Sequence, residues 1–72
     1  MTLEQYAIEE ITAEMVEWLM ADRQMDLKQA MSSVYNSDTY DRLNDLNTGL
    51  YGQSTAYVYD HLTHELNTGR LG

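Results

Sequence analysis

The sequence predicts an all-α fold, a small bundle of four helices that forms a single domain over residues 1–72. The chain contains no proline, so no position in it forbids a helix. Apolar residues recur at spacings of three and four, which is the period of one buried helix face. Residues that cap helix N-termini precede these apolar runs. We expect the helices at about 2–22, 27–36, 38–46 and 54–66.

Composition alone points toward disorder, because few branched aliphatic residues accompany a net charge of −8. Five methionines, six tyrosines and one tryptophan supply the missing apolar surface. Their helical spacing favours a folded domain. A chain of 72 residues holds one small core and has no room for a large internal cavity.

The first helix has the clearest signals. Thr2 can cap it, and Gln5 three residues later completes a capping box. Its main apolar residues fall on one stripe, which should pack on the core. That stripe consists of Ala7, Ile8, Ile11, Met15, Trp18 and Leu19.

The two central helices are expected to be short. Asp26 can cap the second helix, again with Gln29 three residues on. Either Ser37 or Asp38 can cap the third helix. Gly49 should end that helix, because glycine takes the left-handed conformation beyond a helix C-terminus at little cost.

The last helix follows a connector, residues 50–53, and Ser54 is its expected cap. The sequence of residues 46–49 recurs word for word as residues 66–69. We interpret both copies as helix ends rather than as a structural repeat. The predicted core consists of Ile8, Ile11, Met15, Leu19, Leu27, Met31, Val34, Leu43, Leu46, Val58 and Leu62.

A second side of the first helix is also apolar, since Tyr6, Val16 and Met20 lie roughly opposite the main stripe. Between them runs an acidic row, Glu10, Glu14 and Glu17. An apolar anchor beside a charged row is typical of a protein-binding surface, so we predict a protein partner or self-association through these residues. The alternatives are that the exposed apolar residues are ordinary surface and that the acidic row only keeps the protein in solution.

Charge and hydropathy exclude several classes of function. Twelve acidic against four basic residues disfavour nucleic acid, whose phosphates are bound by clustered Lys and Arg. On the third helix, where a DNA-reading helix could lie, Asp38, Asp41 and Asp45 outweigh Arg42. No apolar run approaches the roughly 18 residues that span a bilayer, so we expect no membrane insertion. With no cysteine and no basic leader, we expect a cytoplasmic protein.

The histidines offer the alternative function, a small metal-binding protein that uses His61 and His64, with Glu65 as a third ligand. Their spacing differs from the i, i+4 pair of the zinc protease helix, and His61 can instead pair with Glu65. The serines lack a nucleophile motif, and the carboxylates crowd one open helix. We therefore expect no enzyme activity and no cofactor.

Several segments of the second half form a distinctive pattern. In order they are Tyr40-x-x-Leu43, Thr48-Gly49-Leu50-Tyr51, Ser54, Tyr57-Val58-Tyr59-Asp60 and Glu65-Leu66. This pattern resembles a family of short uncharacterised bacterial proteins, a domain of unknown function. The resemblance implies that Tyr51, Ser54 and Tyr57 form a shared connector and cap, and it brings no catalytic residue. It also implies an accessory or neutralising role beside a toxin-like enzyme, since some relatives are encoded next to ADP-ribosyltransferase-like proteins.

Overall fold

The computed structural model describes residues 1–69 and shows a bundle of α-helices, as the sequence predicts. Two short 3-10 turns, Leu46–Thr48 and Leu50–Gly52, connect the third and fourth helices. Residues 1–69 contain no β-strand. The helices are α1 (Leu3–Arg23), α2 (Leu27–Tyr35), α3 (Asp38–Asn44) and α4 (Thr55–Thr68).

The predicted N-caps are confirmed. The Gln5 N–H donates to the Thr2 hydroxyl at 3.1 Å, and the Thr2 N–H donates back to the Gln5 side chain at 3.2 Å. Asp26 and Gln29 exchange the same pair of bonds at the start of α2. These reciprocal bonds satisfy N–H groups that the helix itself leaves without partners. Of the two predicted caps of the third helix, Ser37 is the one used, and its hydroxyl accepts a hydrogen bond from the Tyr40 N–H at 3.0 Å.

The two copies of the repeated tetrapeptide have different structures. In the second copy, α4 continues through Thr68 and Gly69 caps it in the left-handed region at φ 90°. In the first copy, α3 has already ended at Asn44, two residues before its expected end. Asp45 instead caps the following 3-10 turn by accepting from the Asn47 N–H at 3.0 Å. Gly49 therefore ends this turn and not the α-helix, so that part of the prediction is wrong.

The core lies between α1 and the other three helices, because α1 contacts each of them and the second 3-10 turn as well. Eight of the predicted core residues are buried. The buried apolar residues are Ile8, Ile11, Met15, Val16, Leu19, Ala30, Val34, Leu43, Val58 and Leu62.

Three predicted core residues are exposed instead, namely Leu27, Met31 and Leu46. The second helix buries Ala30 and Val34, one turn apart, so Leu27 at its first position and Met31 at its flank face solvent. Leu46 belongs to a 3-10 turn, which takes it out of the register of α3. The predictions for these three residues are wrong.

Candidate binding face

The exposed side of α1 carries one continuous stripe of residues. Successive members are three or four positions apart, so they lie above one another along the helix. The stripe is apolar at both ends, where Leu3 is 84%, Tyr6 58% and Met20 37% exposed. We call it the outer face of α1, and it consists of Leu3, Tyr6, Glu10, Ala13, Glu17 and Met20.

Four of the six residues predicted for partner binding lie on this outer face, namely Tyr6, Glu10, Glu17 and Met20. Val16 does not, because it is 7% exposed and belongs to the core. Since α1 is contacted from several sides, its buried arc is wider than one apolar stripe suggests. The placement of Val16 on an accessible surface was wrong.

Glu14 lies at the border of the outer face and is half-buried. Its carboxylate accepts a hydrogen bond from the hydroxyl of Thr55, the first residue of α4. Glu14 thus helps to join two helices, while Glu10 and Glu17 remain on the exposed side. Leu3 and Ala13 were not predicted for this face, although their three- and four-residue spacing to Tyr6, Glu10 and Glu17 was a signal in the sequence.

The first helix is strongly negative, because residues 1–22 contain six acidic side chains and no Lys or Arg. Within residues 1–69, none of the exposed glutamates Glu9, Glu10 and Glu17 forms an ion pair. Their mutual repulsion costs only a few tenths of a kcal/mol per pair on a solvated helix. The unbalanced charge is complementary to a basic surface.

The C-terminal half of α1 is held on α4 by aromatic and polar contacts. Trp18 and Tyr59 meet edge to face, with ring centroids 5.1 Å apart. The Tyr59 hydroxyl donates to Asp22 at 2.9 Å, and Arg23 donates to the Asn67 side chain at 2.7 Å. Burial and the Asp22 carboxylate raise the pKa of Tyr59 to about 12. This seam fixes the orientation of the outer face relative to the bundle.

Glu65 has a structural task that the sequence analysis missed. It is 8% exposed, and its carboxylate accepts from the Asp38 N–H at 2.8 Å and the Thr39 N–H at 2.9 Å. Burial opposes ionisation, but the hydrogen bonds outweigh it and hold the pKa of Glu65 below its usual range. Because this carboxylate bonds to α3, the alternative in which Glu65 pairs with His61 is wrong.

The two histidines lie at the surface of α4. The His61 ring contacts Tyr57 edge to face, with centroids 5.1 Å apart, and His64 is exposed. Both line one shallow pocket together with Asp60. Within residues 1–69, no three His, Cys, Asp or Glu side chains are grouped so that they could hold a metal ion.

No family model matches the sequence, and neither does any curated protein or solved structure with which it was compared. The resemblance to a family of short bacterial proteins therefore stays a prediction. In the part of the chain that the structure describes, no helix is both long and apolar enough to cross a membrane. The fold and the outer face define a small all-α domain that presents an acidic helix with apolar ends.

Proposed function

We propose that this chain is a non-enzymatic protein-binding domain that uses the outer face of α1 to bind a basic protein surface. The observation that carries the proposal is the outer face itself, in which two exposed glutamates, Glu10 and Glu17, lie between the apolar side chains of Tyr6 and Met20. Apolar anchors supply most of the energy at protein interfaces, and charges steer association and select the partner.

A basic partner is favoured over a second copy of the chain. Two copies would each carry a net charge of −8, and a shared α1 interface would bring Glu10 and Glu17 of both copies together. A partner that supplies Lys or Arg would neutralise the same residues. Self-association is the competing outcome of the experiment below.

The biological role that we propose is accessory or neutralising, with a toxin-like bacterial enzyme as the partner. This part rests on the family resemblance of residues 40–66. We place the interaction in the cytoplasm, with which a chain free of cysteine is compatible. Neither statement affects the choice of the binding face.

The test compares two methionines of matched exposure. Met20 on the outer face is 37% exposed, and Met31 on α2 is 39% exposed. Tagged wild-type protein, Met20→Glu and Met31→Glu would be used to recover partners from native lysate. The mass of each complex and of each free protein would be measured by light scattering over a range of concentrations.

We expect Met20→Glu to lose a stoichiometric complex that Met31→Glu retains, because both substitutions add one negative charge but only one removes an anchor. Circular dichroism should show the same helix content for all three proteins. Equal loss of the complex in both variants would show that net charge, and not the Met20 side chain, controls binding. A wild-type protein that stays monomeric and recovers no partner would overturn the proposal.

A further inference from the structure

A pocket of about 480 Å³ opens beside the outer face of α1. Its walls come from three helices: α1 provides Glu9 and Ala13, α2 provides Tyr35, and α3 provides Tyr40 and Asn44. Ala13 belongs to both the pocket and the outer face, so the two surfaces are continuous.

The pocket contains a pair of perpendicular aromatic rings. The rings of Tyr35 and Tyr40 have centroids 5.0 Å apart and planes at 87°. In such an edge-to-face pair, the ring that presents its edge keeps both of its own faces free of the partner ring. Tyr35 is also 46% exposed, so this pair is accessible from solvent. The negative face of an accessible tyrosine ring attracts an organic cation.

The polar groups of the pocket also favour a cation. Glu9 is exposed, and within residues 1–69 its carboxylate has no hydrogen-bond or ion-pair partner. The Asn44 side-chain amide donates to the Tyr40 carbonyl at 2.9 Å, which leaves its own oxygen as an acceptor. Among residues 1–69, no Lys or Arg lines the pocket. Ring faces, a carboxylate and an amide oxygen together suit a cationic group.

We propose that this pocket binds the guanidinium group of an arginine on the partner protein. Arginine fits better than lysine, because its planar group stacks on an aromatic ring while its N–H groups reach a carboxylate. The inference rests on the proposed function, since a partner that covers the outer face brings its own side chains to the mouth of the pocket beside Ala13.

The test uses small probes, of which the arginine and lysine derivatives carry the same charge and are therefore attracted equally by the long-range field of the acidic protein. N-acetyl-arginine amide would be titrated into ¹⁵N-labelled protein and followed by NMR, with neutral N-acetyl-citrulline amide as the isosteric control. N-acetyl-lysine amide would test the choice of guanidinium over ammonium. We expect saturable shifts for the arginine probe at Glu9, Ala13, Tyr35, Tyr40 and Asn44, and weaker binding of both other probes.

Substitutions distinguish the pocket from the general charge of α1. Tyr35→Leu and Glu9→Gln should each weaken arginine binding about two- to fivefold. Glu4→Gln removes the same charge from the first turn of α1, at a residue that neither lines the pocket nor belongs to the outer face, and should leave arginine binding unchanged. Equal effects of Glu9→Gln and Glu4→Gln, or equal binding of the citrulline or the lysine probe, would overturn the proposal.

The failure of this inference can be told apart from the failure of the proposed function. If Met20→Glu loses the protein partner while Tyr35→Leu keeps its full affinity, the outer face binds the partner and the arginine pocket is wrong. If the arginine probe binds as expected but wild-type protein recovers no partner, the pocket binds arginine and the proposed interaction is wrong.

Discussion

The carboxylate of Glu65 accepts hydrogen bonds from both the backbone N–H of Thr39, at 2.9 Å, and the Thr39 hydroxyl, at 2.8 Å. Thr39 is completely buried in the first turn of α3, and Glu65 lies 26 residues later on α4. A negative group at a helix N-terminus satisfies free N–H groups and interacts favourably with the helix dipole. This contact holds the shortest helix of the bundle on one of its longest.

We expect Glu65→Gln to lower the free energy of unfolding by about 2 kcal/mol, because an amide has one acceptor oxygen where the carboxylate uses two. The NH₂ group of glutamine would then face one of the N–H donors of α3. Urea unfolding followed by circular dichroism would measure the change. Glu17→Gln on the outer face removes the same charge at an exposed site and should not destabilise the protein. Equal unfolding midpoints for Glu65→Gln and wild type would contradict the assigned role.

The same contact predicts an acid-dependent loss of stability. The pKa of Glu65 is lowered below 4.5 in the folded protein, so its ionised form favours folding. That contribution is fully present above pH 4.5 and is lost as the pH falls through the lowered folded pKa. The difference in unfolding free energy between wild type and Glu65→Gln should therefore shrink below pH 4.5. A difference that stays constant down to the acid transition would show that ionisation of Glu65 plays no part.

Local signals explain which parts of this fold the sequence could predict. Thr2 and Asp26 precede apolar runs with glutamine three residues on, and the structure shows both capping boxes. The contact between Glu65 and Thr39 left no such signal, because it depends on how α3 and α4 pack.

The outer face was partly predictable for the same reason. The spacing of Tyr6 and Met20 correctly predicted that both residues are exposed. Val16 is buried because several elements pack around α1, and their number cannot be read from the sequence of one helix. The pocket between Tyr35 and Tyr40 needs three helices to form, and no spacing within one helix indicates it. Single-helix geometry could be predicted, and contacts between helices could not.

The seam between α1 and α4 predicts a loss of stability at alkaline pH. The pKa of Tyr59 is raised from 10.0 to about 12, so the neutral phenol favours the folded state. That contribution is fully present below pH 10.0 and is lost as the pH rises toward about 12. Wild type should therefore lose more stability than Tyr59→Phe over this interval, as measured by urea unfolding at each pH. Parallel curves for the two proteins would contradict the contribution of this hydroxyl.

The end of α1 offers a stabilising substitution. Gln24 caps the helix in the left-handed region at φ 56° and ψ 33°, where a side chain is disfavoured and glycine is not. Gln24→Gly should raise the unfolding free energy by about 0.5 kcal/mol, since relief of strain exceeds the added chain entropy of glycine. Thermal unfolding would measure it. Gln53→Gly, at an extended position with φ −93°, should instead be destabilising, and the same sign for both would contradict the explanation.

The glutamates of the outer face should cost the protein stability. Glu10 and Glu17 flank Glu14 at four and three residues, and like charges at these spacings repel. The double variant Glu10→Gln, Glu17→Gln should raise the unfolding free energy by about 0.5 kcal/mol at low salt, and the gain should fade at about 1 M salt. Chemical unfolding at both salt concentrations would measure it.

Glu4→Gln is the matched control for that prediction, because Glu4 lies in the first turn of α1 and interacts favourably with the helix dipole. Removing the charge of Glu4 should lower the unfolding free energy by about 0.3 kcal/mol, although the net charge of the protein becomes less negative, as it does in the double variant. A gain in stability from Glu4→Gln would mean that overall charge, and not local repulsion, is measured. A stability cost from two exposed glutamates would fit the proposed binding role of the outer face, because function is commonly retained at some cost in stability.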